Sequence, residues 1–200
     1  QKIQTAGATI HTLVGGSGSP LLLIHGYPQT HVEWHKIAGR LAERFTVVMT
    51  DLRGYGDSSK PPDGENHANY SKRAMALDNI EVMRSLGHER FAVVGHDRGG
   101  RVTWGMAVEQ PERVTRAASL DIVPLPYSTV TREFATEYFH WFFLIQPAPF
   151  PETLIGNSAE FYLRSRFLRS SASSSIFTPE AIAEYLRCFK DPAAIHGSCE

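Results

Sequence analysis

Only two cysteines, Cys188 and Cys199, occur in 200 residues, both late in the chain. A disulfide framework is excluded, and a reduced, cytoplasmic setting is the expectation. Charge of one sign is equally scarce: 20 Lys and Arg face 21 Asp and Glu, a formal net charge of −1. No basic field invites nucleic acid, and no acidic tract offers a cation sink. No apolar run reaches the length of a membrane span, and the N-terminal "QKIQTAGATIHTL" lacks a signal-peptide core. The glycine-rich "GGSGSP" (15–20) is not followed by Gly-Lys-Ser/Thr, so it reads as a hairpin turn rather than a phosphate loop. In "HVEWH" (31–35) the glutamate is misplaced for a metalloprotease helix, and no metal site is expected. What remains is enough chain for one globular domain, with an ordinary 42% of hydrophobic residues.

Alternation of buried runs and helical periods organises that chain. "TIHTLV" (9–14) alternates as a strand. "LLLIHG" (21–26), "FTVVMTD" (45–51), "RFAVVGHD" (90–97) and "VTRAASLDIVP" (114–124) read as strands buried on both faces. Between them, residues 31–43, 71–86 and 99–110 have helical spacing, with Ser71 as a cap ahead of Ala74, Leu77, Ile80, Met83 and Leu86. Strands alternating with helices predict a parallel central sheet with right-handed crossovers. Reactive residues then gather at the carboxyl ends of the strands, where His25, Asp51, Asp97 and Asp121 all fall. After Pro124 the buried-strand runs stop. "YFHWFF" (138–143) and "PEAIAEYLRCF" (179–189) predict short helices, so residues 1–126 read as an α/β core and 127–200 as a helical cap.

The densest chemistry lies in "VGHDRGGR" (94–101). Gly95-His96-Asp97-Arg98-Gly99 has the form of a nucleophile elbow, in which a strand turns sharply into a helix and exposes its middle side chain. In that form the Arg98 amide is one oxyanion donor, and the loop "HGYP" (25–28) supplies a second through the Tyr27 amide. The motif alone leaves a second reading open, in which Asp97 only caps the following helix.

Further motifs decide between the two. "HGYPQT" (25–30), "DLRGYGDSSKP" (51–61) and "GHDRGGR" (95–101) together resemble the α/β-hydrolase family, in the branch with an aspartate nucleophile. "LDIVP" (120–124), "FHWFF" (139–143), "QPAPFPE" (146–152) and "DPAAIHGSC" (191–199) resemble the haloacetate, or fluoroacetate, dehalogenases of that branch. The resemblance implies a cofactor-free and metal-free hydrolase acting on a small halogenated carboxylate. Asp97 would displace the halide and form an ester, and water would then cleave that ester. A serine in the same place would form an ether that water cannot open.

The remaining roles follow from the resemblance. Arg98 and Arg101 would hold the substrate carboxylate; the other reading is that one of them pairs with Asp51 or another local acid. His140 and Trp141 would receive the halide, and Asp121 would be the acid of the triad. His25 and His96 would orient backbone. The family's histidine base lies in a later segment, so the expectation is a chain matching the front two-thirds of a member, without its closing strands. A homodimer is left open. Two rivals remain: an epoxide hydrolase using Tyr138, Tyr162 or Tyr185 in the cap, and a member that binds ligand without turnover.

Overall fold

Four consecutive apolar residues, Leu21 to Ile24, are buried almost completely, yet they serve two cores. Leu22 and Ile24 join Ile10, Val48, Val93, Met75, Met83, Val102 and Met106 on one face of a sheet. Leu21 and Leu23 join Trp34 and Val47 on the other. This is the two-residue period of a strand covered on both sides, with about 1.5–3 kcal/mol of transfer free energy for each such side chain. The structure, a computed structural model, describes residues 1–122, 130–170 and 176–200.

Six strands form one sheet in the order β1-β2-β4-β3-β5-β6. They are β1 (Lys2–Gln4), β2 (Thr9–Gly15), β3 (Ser19–Ile24), β4 (Phe45–Thr50), β5 (Phe91–His96) and β6 (Val114–Leu120). The last four are parallel, whereas β1 and β2 run antiparallel at one edge. Helices α1 (Ala38–Ala42), α2 (Lys72–Ser85) and α3 (Arg98–Glu109) make the crossovers. Ser71 caps α2 as expected, accepting from the Ala74 amide.

Three expectations are corrected. "GGSGSP" is not a hairpin turn, because β4 inserts between β2 and β3 and pairs with both. Residues 31–43 are not one helix: a 3-10 turn (His31–Trp34) and the five-residue α1 are separated at Ile37, whose φ of −119° breaks the helical run. The strand at 114–120 is not buried; all of it beyond Val114 is exposed. Its apolar residues pack on one strand neighbour only, β5, among the described residues. The expected division at 126/127 lies outside the described residues.

Beyond residue 130 the described elements are all helical: α4 (Arg132–Glu137), α5 (Phe139–Leu144), α6 (Phe150–Gly156), α7 (Ala159–Ser170), α8 (Pro179–Phe189) and α9 (Pro192–Cys199). They build their own apolar cluster around Leu144, Ile155, Leu163, Phe167, Tyr185 and Phe189, which meets the core through Tyr27 and Val32. No helix among the described residues is long and apolar enough to cross a membrane.

The loop after β4 is fixed by a buried ion pair. Asp78 on α2 accepts from Arg53 Nε at 2.6 Å and Nη2 at 2.7 Å, and from the Thr5 hydroxyl at 2.6 Å. Arg53 and Asp78 are only 4% and 2% exposed. An Asp78→Ala variant leaves the guanidinium buried without its counter-charge. It should lose about 3–5 kcal/mol of stability, read as a lower urea midpoint against wild type.

Candidate active site

β5 ends at His96 and α3 begins at Arg98, so the whole reversal is made by Asp97. Its φ of 47° and ψ of −114° lie where an L-residue is strained by about 1–3 kcal/mol. The flanking glycines make the turn sterically feasible. A Cβ on Gly95 would sit 2.1 Å from the Gly99 carbonyl oxygen, and one on Gly99 would sit 2.3 Å from that of Ile24. The reward for this strain is position: the Asp97 carboxylate stands clear of the sheet at the N-terminus of α3. Asp97 makes no capping hydrogen bond to α3, so the cap reading fails. Instead its Oδ1 accepts from the Tyr27 amide at 2.9 Å. The Arg98 amide, first of α3, belongs to the N–H groups that have no partner inside the helix.

Two hollows meet at Asp97. One, of about 380 Å³, is lined by Asp97, Arg98, Arg101, Lys72, His140 and Trp141 among others. The second, of about 590 Å³, is lined by Asp97, His96, Asp121, Glu33, Arg166 and His140 among others. The first gathers Lys72, Arg98 and Arg101 around Asp97, whereas the second mixes Glu33 and Asp121 with Lys36, His96 and Arg166.

In the first hollow the arginines are held differently. Arg98 donates to the Tyr55 hydroxyl at 2.6 Å and to the Ser198 carbonyl at 2.7 Å, and its guanidinium lies 5.1 Å from the Tyr27 ring centre. Arg101 lies with its guanidinium 4.6 Å from the Trp141 ring centre, a cation–π contact. Neither pairs with Asp51 or with another acid among the described residues. Asp51 is buried and accepts from the His31 amide (2.7 Å), His31 Nδ1 (2.9 Å) and the Asp57 amide (3.0 Å). Burial opposes its ionisation, but the contacts with His31 and the nearby His25 prevail and hold it at about 2.

His140 is buried, with its ring parallel to Tyr27 at 6.3 Å. Its Nε2 faces Arg166 Nη2 at 3.2 Å, and because a guanidinium only donates, the imidazole carries its proton on Nδ1. His25 does orient backbone: Nδ1 donates to the Gly26 carbonyl at 2.9 Å and Nε2 accepts from the Leu52 amide at 3.0 Å. Burial lowers its pKa, in keeping with a neutral ring.

In the second hollow Asp121 directly follows β6 at a φ of 49°, its carboxylate exposed and 3.7 Å from His96 Nε2. His96 Nδ1 lies 2.9 Å from Glu33, whose other oxygen accepts from the Gly26 amide at 2.8 Å. Burial acts to lower the His96 pKa, but Glu33, then Asp97 and Asp121, raise it to about 9. At neutral pH this imidazole already holds both protons and cannot accept one from water. Among the described residues two groups bring metal-type donor atoms within 4.8 Å of one another: His11, His31 and Asp51, and Asp63, His196 and Glu200. Neither includes Asp97. His31 and His35, the pair in "HVEWH", diverge, since His35 Nδ1 donates to the Val32 carbonyl.

Sequence reading placed Asp97, Asp121, Tyr27, Arg98, Arg101, His140 and Trp141 at one site; the structure brings all but Asp121 to the first hollow, and Asp121 lines the second. It missed Lys72, Tyr55, Glu33 and Arg166. Tyr55 lies inside the quoted "DLRGYGDSSKP", where a buried aromatic beside a charged rim was a usable signal. Arg166 gave none.

A model of the alpha/beta hydrolase fold family matches residues 19–194. The fluoroacetate dehalogenase of a Burkholderia species is 50% identical over 200 residues, covering 98% of this chain and 66% of that protein. The soluble epoxide hydrolase of Corynebacterium sp. (strain C12) is 37% identical over 97% of this chain and 68% of its own length. The crystal structure of ALR0039 from Nostoc sp. PCC 7120 superposes with a TM-score of 0.98 at 56% identity, over 100% of this chain and 69% of that one. The chain thus spans about two thirds of the length of these relatives.

The His96 assignment has a direct test. Its imidazole resonance in an NMR titration should move near pH 9, and a Glu33→Gln change should bring it back toward 6.5. Because the folded pKa is raised, the stability that His96 contributes is complete below about pH 6.5 and is lost as pH climbs through about 9. Denaturation midpoints across that window should fall in wild type and stay flatter in His96→Gln.

Proposed function

The chain belongs to the α/β-hydrolase family, and we propose that it provides the nucleophile and anion pocket of a hydrolase that removes halide from a 2-haloacid such as haloacetate. The observation that carries this reading is the left-handed Asp97 with the Tyr27 amide on its carboxylate, beside a hollow lined by Arg98 and Arg101. An Asp97 oxygen bonds to the halogenated carbon, and the carbon–halogen bond breaks with its electron pair leaving on the halide. Arg98 and Arg101 hold the carboxylate of the substrate and so aim that carbon at Asp97. His140 and Trp141 receive the halide.

In the second step water attacks the Asp97 carbonyl carbon. Negative charge develops on the carbonyl oxygen of that ester, where the Tyr27 and Arg98 amides form the oxyanion hole; collapse then breaks the bond between the Asp97 carbonyl carbon and the substrate oxygen, which leaves as the hydroxy acid with the proton that the water gives up. Asp121 is the acid of the triad. His96 is not the base, for the reason of its proton. Helices α4 to α9 act as the cap over this chemistry. The fluoroacetate dehalogenase relative supports the substrate class.

The epoxide hydrolase relative favours a second reading, with a cap tyrosine protonating the epoxide oxygen. Of the cap tyrosines, Tyr138 and Tyr185 line the second hollow together with Asp97. Tyr162 and Tyr27 share a hydrogen bond at 3.1 Å, and Tyr185 is 1% exposed. A neutral epoxide also gives two arginines nothing to bind.

Halide release from chloroacetate and fluoroacetate, against hydrolysis of a small epoxide, separates the two. The full-length protein should release halide, and Asp97→Asn should lower the rate by about 10³-fold or more. Epoxide opening without halide release would overturn the haloacid reading.

A further inference from the structure

Lys72 is an ill-placed cation by ordinary rules. It opens α2 at the positive end of the helix dipole, where acids are favoured, and the first turn of α2 holds none. Its Nζ has one hydrogen bond, a long 3.4 Å contact with the Tyr70 carbonyl, and no ion pair among the described residues. The N-terminus of α3 faces the same hollow, again with no acid in its first turn, and adds Arg98 and Arg101. Three cations and two helix N-termini therefore converge on Asp97. The other carboxylate of this hollow, Glu200, is already engaged by His67. Burial first, then repulsion from Arg98 and Arg101, push the Lys72 ammonium down to about 7. Such a cluster repels itself when empty and is relieved by a bound anion.

The cations are not equally available. Arg98 spends two donors on Tyr55 and Ser198. Lys72 has a flexible stem and three donors, of which its single long contact uses one at most. We propose that Lys72 is the third cation of the substrate-carboxylate site and sets its preference for acids over neutral substrates. This rests on the haloacid reading of Asp97.

Two measurements on the full-length protein test it: kinetics with chloroacetate, and glycolate affinity by calorimetry in an Asp97→Asn background. Lys72→Met should raise KM and weaken glycolate binding by about 10- to 100-fold, the worth of a charged hydrogen bond, with kcat within about threefold. Its melting temperature should hold or rise, because a repelled cation has gone. Lys72→Arg should restore affinity.

Wild-type KM should also climb as pH passes about 7, where the free ammonium loses its proton, and stay flat in Lys72→Arg. The other charged or titratable groups lining this hollow, Tyr27, Asp97, Arg98, Arg101, His140, Cys199 and Glu200, are common to both proteins, and burial pushes the Cys199 thiol up to about 12. Unchanged KM and glycolate affinity in Lys72→Met would overturn the proposal, while the haloacid reading would stand if halide were still released. Weakened glycolate binding without any halide release would uphold the anion site and sink the haloacid reading.

Discussion

Everything at this site hangs on one backbone reversal. Asp97 is held at a positive φ that costs about 1–3 kcal/mol, in a turn flanked by two closely packed glycines. Gly95 and Gly99 let the end of β5, the start of α3 and the end of β3 approach more closely than any Cβ permits. The buried strands on both sides supply the stability that offsets the strain. The result is a carboxylate aimed by rigid elements rather than by a loop, with the Tyr27 amide already on it at 2.9 Å.

Electrostatics then divides the space around that carboxylate. On one side lie Arg98, Arg101 and Lys72 at two helix N-termini, a field suited to a bound anion. On the other, Glu33, His96 and Asp121 form a chain of alternating charge that braces the Tyr27 loop against the elbow. Arg98 belongs to both tasks. By bonding Tyr55 and Ser198 it ties the loop after β4 and the end of α9 to the elbow, so pocket shape and charge are set by one guanidinium.

The legible parts of the molecule were those written in short-range pattern. The runs at β3, β4 and β5, the capped period of α2 and the fixed spacing of Gly95, Asp97 and Gly99 carry their own geometry, so these elements and the sharp turn at Asp97 could be read directly. Where an outcome depends on which strand lies beside which, reading failed. The glycine turn before β3 looks like a hairpin until β4 is seen between its strands, and β6 looks buried until its exposed flank is seen. The same limit applies to the site. Tyr55 reaches Arg98, Glu33 reaches His96 and Lys72 lines the hollow of Asp97, all across tens of residues of sequence, and no local pattern marks a lysine at a helix start as part of that lining.

The central claim, that Asp97 itself takes up the substrate carbon, is tested most directly by oxygen tracing. A single turnover of a haloacid by the full-length protein in ¹⁸O-water should give an unlabelled hydroxy acid, with the heavy oxygen found in the Asp97 carboxylate. That follows because the product hydroxyl comes from Asp97 while water restores the side chain. Label in the first-turnover product, with none in Asp97, would mean that water attacks the substrate directly and would contradict the account.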